Sequence, residues 1–382
     1  MNILYVLLAV AFFGFLIFIH ELGHFIVARL CGVKILEFAI GMGPKLISYR
    51  SKKSGIRYSI RLFPIGGYVN MLGENGMELA QGSAEEESTE SFFINKKAAE
   101  DQSVDVESKT PDIDPEFAKQ AYCNQSVWKR MLISIAGPFM NVLLGFLLMF
   151  VLVFVTRSTG LGTTVVHSFA DWNTSSQSGL QAGDEIVRVG DTAVHTLYDL
   201  NYEISEQGYR AIPLEVKRNG ERITLENVQF CVTSQGSVNF GVRDFRVYPE
   251  TNVGLGKLLK HTFWRSCSCV KMVYDSISGM LTKRYGMDAV SGPVGITGVI
   301  TEAAKTSELD VLHLLILISI NLGVMNLLPL PALDGGHLLL YAIEAIRRKP
   351  IKPEIEGVIN FVGLVLLLGL AVIITIKDVI AL

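Results

Sequence analysis

Charge and cysteine are both scarce in this 382-residue chain, and each scarcity excludes something. Only 19% of the residues are charged, against 49% hydrophobic, and the net charge is −3. With no basic excess to neutralise a phosphate backbone, nucleic acid is excluded as a partner. The five cysteines (Cys31, Cys123, Cys231, Cys267 and Cys269) are odd in number and form no C-x-x-C pair. That argues against a disulfide framework and against a cysteine-built metal site, so they read as inert thiols. No Lys or Arg precedes Arg29, and no small-residue cleavage site is present, so a removable signal peptide is not expected.

What the chain does have is apolar length. A helix needs about 20 apolar residues to span a bilayer. Four segments qualify: Ile3–Ala28, Met131–Val155, Val311–Leu330 and Gly357–Ile376. The third runs on through Pro329 and Pro331 into a further apolar stretch, Leu338–Ile346, so its far end should be kinked or broken. Lys and Arg cluster near the span ends in the 29–130 and 347–353 loops and are sparse at the ends of 156–310. The positive-inside rule then puts the first two loops in the cytoplasm and 156–310 outside. The expected fold is a polytopic α-helical membrane protein. It has four transmembrane helices, a membrane-associated β-hairpin and an inserted extracytoplasmic α+β domain.

The expected divisions are 1–72, 73–126, 127–157, 158–250, 251–308 and 309–382. In the first, Ile56, Tyr58, Ile60 and Leu62 alternate with polar residues beyond the turn "SKKSG". That predicts a hairpin over Lys45–Leu62. "FPIGGYVNMLGE" reads as a Gly-rich loop that could dip into the membrane face. The second division is strongly acidic with little hydrophobic pattern, which predicts disorder. Strands are expected at Thr164–His167, Glu185–Val189, Pro213–Lys217, Ile223–Val228 and Val238–Val242, with a helix at Leu197–Glu206. Apolar residues recur at helical spacing from Leu255 to Leu281. They predict an amphipathic helix, either on a membrane surface or packed on the soluble domain.

The chemistry lies at the end of the first span, in His-Glu-Leu-Gly-His. Residues i and i+4 share a helix face, so His20 and His24 can hold one metal ion, with Glu21 one step round. A catalytic zinc takes three protein ligands and leaves a position for water, and Glu21 is placed to take the proton from that water. An ionisable group toward the membrane interior costs about 2.5–3.5 kcal/mol on insertion scales, which makes these residues functional candidates by default. The third ligand should lie at the same depth. "NLLPLPALDGGH" offers Asp334, with His337 as its rival. The flanking prolines and glycines favour Asp334.

H-E-L-G-H in the first span, "AGPFMN" in the second and "NLLPLPALDGG" in the third together resemble the site-2 proteases. Their order is similar to the bacterial branch that includes the regulator-of-sigma-E protease. "SGLQAGDEIVRVGD" resembles its PDZ domain and "SGPVGITG" its post-PDZ segment. The resemblance implies an intramembrane zinc metalloprotease of the bacterial cytoplasmic membrane, with Zn2+ on His20, His24 and Asp334 and with Glu21 as base. It implies that Asn326 binds substrate or the developing oxyanion. Pro138 and Asn141 would shape the second helix beside the site, with Asn141 also a candidate substrate contact. The implied partners are the lipid bilayer and single-span membrane proteins, such as anti-sigma factors, remnant signal peptides or pheromone precursors. One PDZ domain is expected here, whereas some relatives have two, and the acidic insert is foreign to the pattern.

Cutting a helix in a membrane frees backbone groups that cost several kcal/mol each if unpaired. The hairpin could pair with them by strand addition, with Tyr58 and Ile60 as the expected substrate-side positions. Two other classes compete: a metal-dependent membrane hydrolase acting on lipid or prenylated protein, and a PDZ-bearing membrane scaffold without activity. The intact motif and the peptide-suited modules disfavour both.

Overall fold

The computed structural model describes residues 3–74, 119–230, 244–250, 253–286 and 290–380. In chain order its elements are α1 (Ile3–Leu30), β1 (Ile35–Arg50), β2 (Arg57–Met71), α2 (Val127–Thr156), β3 (Leu161–Phe169), β4 (Glu185–Val189), β5 (Thr192–Ala193), α3 (Leu197–Gln207), β6 (Ile212–Arg218), β7 (Glu221–Val228), β8 (Phe245–Glu250), α4 (Leu255–Leu281), α5 (Pro293–Thr306), α6 (Glu308–Asn326), α7 (Asp334–Arg347) and α8 (Pro353–Ile380). Most of the acidic insert and the expected strand Val238–Val242 lie outside the described residues.

Among the described residues, α1, α2, α6 and α8 are long and apolar enough to cross a membrane. Three match their expected spans closely. The third stops short: α6 ends at Asn326, not Leu330. Pro329 and Pro331 cannot donate to a helix, and each disfavours helical backbone in the residue before it. Ala332 then takes a φ of +66°, in the left-handed region. The chain turns there and starts again as α7 at Asp334.

Contacts divide the chain into two compact units: residues 1–141, 291–301 and 322–382, and residues 142–290 with 302–321. In the first unit the hairpin is larger than Lys45–Leu62. Strands β1 and β2 are both bent, so each pairs more than once. Residues 45–50 pair with 57–61 across the "SKKSG" turn. Residues 37–40 have two partners each: Phe38 lies opposite both Tyr58 and Val69, and Ile40 opposite both Ile60 and Gly67. The "FPIGGYVNM" stretch is therefore mostly strand and not the expected loop. Its glycines misled the reading. Gly66 of β2 has a φ of +83°, and Gly41 and Gly43 of β1 each have +87°. These left-handed glycines make the bulges at which both strands bend.

The bend has a consequence for Tyr58 and Ile60. Both were expected at a strand edge open to substrate, yet both are internal to the sheet, with backbone partners on either side. The Tyr58 ring also packs on Phe25 and Phe38, with centroids 6.3 Å from each. Among the described residues the run 67–71 has one strand partner, residues 35–40, and it lies against α1.

In the second unit, a sheet of order β7-β6-β4-β3-β8, with β5 beside β4, covers α3. Its core holds Ile186, Leu200, Ile204, Leu214, Val216 and Phe245, all essentially sealed from solvent. The Thr196 and Asp199 capping box starts α3. Strand β8 had not been expected. Helix α4 packs on α3: Tyr202 donates to Asp275 at 2.9 Å, and the Lys271 ammonium lies 2.9 Å from Glu203. Its Leu255, Leu259 and Phe263 stay exposed. The helix thus uses one face for the domain and keeps an apolar stripe free.

Candidate metal centre

Three elements of the first unit converge. On α1, His20 and His24 stand one turn apart on the same face. The first residue of α7, Asp334, reaches them from the other side. The His20 Nε2 lies 3.1 Å from Asp334 Oδ2, and His24 Nε2 lies 3.5 Å from Asp334 Oδ1. The two imidazole nitrogens are 3.3 Å apart. One donor atom from each residue falls within 4.8 Å of the others, and no other such group occurs among the described residues.

The other ring nitrogens are held as metal ligands require. His24 donates Nδ1–H to the Ile133 carbonyl of α2 at 2.7 Å, which leaves the Nε2 lone pair facing Asp334. Asn141, completely buried, places its amide 3.2 Å from His20 Nδ1. The atom facing the ring is the amide Nδ2; a half-turn of the amide would bring Oδ1 there to accept Nδ1–H and free Nε2 in the same way. Asn141 therefore touches a histidine of the cluster.

The sequence AGP explains why α2 can come so close. A Cβ on Gly137 would overlap the His24 ring, and one on Gly23 of α1 would overlap the Ala136 carbonyl. Each helix thus has a glycine at the point of contact. Pro138 lacks the N–H that would bond the Ser134 carbonyl, which opens this turn beside Ile133. Ser134 Oγ in turn donates to the Asp334 backbone carbonyl at 3.2 Å. Further along, the Arg130–Glu344 ion pair at 2.5 Å and the Tyr122–Tyr341 hydroxyl pair at 3.0 Å tie α7 to the α2 end of the unit. Removing one partner of such a buried ion pair costs about 3–5 kcal/mol. Sequence reading missed Ile133, Ser134 and Gly137. The signal was a Gly-Pro pair inside an apolar span, which has a reason only when something packs on it.

Of the remaining candidates, Glu21 is half-buried beside β2: a Cβ on Gly67 would meet its Cγ at 2.9 Å. It stands on the helix face next to the cluster, with the 67–71 strand alongside. Asn326 closes α6, and no hydrogen bond joins it to His20, His24 or Asp334 among the described residues. The rival third ligand, His337, points elsewhere: its Nδ1–H donates to Glu356 at 3.0 Å.

A centre of two imidazole nitrogens and a carboxylate oxygen is the donor set of a catalytic zinc, with a position left for water. The close donor distances and the tautomer imposed on His24 fit that ion.

The sequence profile of peptidase family M50 matches residues 8–370. A Clostridium acetobutylicum protein, named as a candidate zinc metalloprotease, is 34% identical over all of this chain and 98% of its own. The zinc metalloprotease RasP of Shouchella clausii is 30% identical, covering 97% of each chain. The regulator of sigma-W protease RasP of Bacillus subtilis is 28% identical over 96% of each.

Proposed function

The chain belongs to peptidase family M50, the site-2 proteases, and is an intramembrane metalloprotease; from that premise we propose how its residues divide the work. His20, His24 and Asp334 hold a zinc ion, which when bound supplies a Lewis acid for water and for the scissile carbonyl. Glu21 takes the proton of the attacking water and delivers it to the leaving amine. Asn326 donates to the oxygen on which charge develops. The convergence of three donors from α1 and α7 carries this reading.

The substrate is a single-span membrane protein. The name of the Bacillus relative points to an anti-sigma factor as the class to try first. An extended substrate segment pairs with the open edge of residues 67–71, which lies beside Glu21, and not with Tyr58 or Ile60. The metal centre faces the cytoplasmic side and the second-unit sheet, a PDZ-type domain, lies outside. The Lys and Arg distribution supports that orientation.

Co-expression with candidate single-span proteins tests the assignment. A fragment that forms with the native chain and not with Glu21→Gln supports it. Equal cleavage by both would remove Glu21 from the reaction.

A further inference from the structure

The last helix turns one face toward the loop that delivers Asp334. Glu356, Asn360 and Gly363 of α8 are spaced so that they share that face. Each engages the loop or the helix turn behind it. His337 donates Nδ1–H to the Glu356 carboxylate at 3.0 Å, so its Nε2 is the acceptor. That Nε2 lies 3.4 Å from Asn360 Nδ2. The amide orientation is thereby set, and Asn360 Oδ1 is turned to the backbone N–H of Ala332, also at 3.4 Å. One turn on, a Cβ at Gly363 would overlap the Pro331 backbone, so the helix lies directly on the loop.

Ala332 is the reason this bracing matters. Its φ of +66° lies where a residue with a Cβ rarely settles without help from its surroundings. Two residues later comes Asp334, whose carboxylate meets both histidines. If Ala332 relaxes to negative φ, the chain that follows swings and the carboxylate leaves its place. The loop is bounded by prolines on one side and by Gly335 and Gly336 on the other, and the glycines pack tightly on the backbone of residues 327–331. Its conformation is thus decided at Ala332.

We propose that Asn360 is a positioning residue for the metal centre. It holds Ala332 in its left-handed conformation, and through His337 it shares in the hydrogen-bonded chain to Glu356, so that Asp334 is delivered to His20 and His24. The inference rests on the reading of those three residues as zinc ligands.

The full-length chain, purified in detergent, is titrated with zinc against a competing chelator. The cobalt-substituted chain gives a visible spectrum that reports ligand geometry. Asn360→Ala should weaken zinc binding about 10–100-fold, the usual range for lost support of a ligand, and should alter the cobalt spectrum. Ala332→Gly added to Asn360→Ala should restore most of the affinity, because glycine adopts positive φ unaided. Ala332→Val with Asn360 intact should weaken binding, and it decides the matter if Asn360→Ala does not accumulate. Native affinity and spectrum in Asn360→Ala, or in Ala332→Val where that variant decides, overturn the inference alone, as does a loss that Ala332→Gly cannot restore. If the native chain binds no zinc, or Asp334→Ala still binds it, the ligand reading falls and takes this inference with it.

Discussion

The imidazole of His24 occupies the space where a side chain on Gly137 would stand. The ring cannot retreat, because its Nδ1–H is anchored on the Ile133 carbonyl one turn away on the same helix. Gly137→Ala should therefore displace the ring or part the two helices. Overpacking of this kind costs about 1–3 kcal/mol. We expect at least about tenfold weaker zinc retention, by analogy with other losses of ligand support. Zinc analysis after dialysis, with thermal unfolding measured alongside, checks it. Native zinc content would show that α1 and α2 have slack here.

Ligand and base should separate cleanly. Glu21→Gln is expected to retain stoichiometric zinc while cleavage falls by about 10²–10⁴, the range for loss of a general base. Asp334→Ala should lose metal and activity together. Full zinc occupancy in Asp334→Ala would mean that a different group is the third ligand.

The sheet makes a positional prediction. Single cysteines placed at Tyr68 or Asn70, on the run with one open side, should crosslink to a cysteine near the scissile bond of a substrate. A cysteine at Tyr58 should not, since its backbone is paired with Phe38 and Tyr49 and its ring with Phe25. Equal crosslinking at both places would argue against strand addition at the 67–71 edge.

Acid should loosen the same sheet. Burial pushes the Glu37 carboxyl up, but Ser59, Lys45 and Arg61 together outweigh it and hold it below its ordinary value near 4.5. A carboxyl depressed in the folded state contributes stability above its unfolded pKa and loses it as pH falls through the folded one. Hydrogen exchange of residues 35–71 should thus accelerate as pH drops below about 4.5, once corrected for intrinsic rates. In Glu37→Gln that pH dependence should shrink. An unchanged acid profile in the variant would assign the loss to other groups.

Orientation is read from the lysines and arginines alone. A reporter in Ser51–Gly55 or at Lys349 should be cytoplasmic, and one at Asn219–Gly220 external. Finding the Ser51–Gly55 and Asn219–Gly220 reporters on the same side would require a different number of crossings between them.

The sequence alone carried whatever depends on spacing along one segment. The apolar runs placed the spans, since length and lack of charge suffice to cross a bilayer. The four residues of the proposed centre were nameable because i and i+4 share a helix face and because an aspartate after an apolar run is costly without a task. Short strand runs at β4, β6 and β7, whose two faces differ in burial, were also located from the sequence. Tertiary structure decided what depends on pairs distant in the chain. Which strand runs are edges could not be read from Tyr58 or Ile60, because their second partners, Phe38 and Ile40, lie beyond two bulged glycines. What the sequence could not show is that Glu356 and Asn360 of α8 engage His337, the rival it left beside Asp334. The roles of Ile133 and Gly137 were invisible for the same reason: a backbone carbonyl and a missing Cβ carry no signal of their own until another helix brings a ring against them.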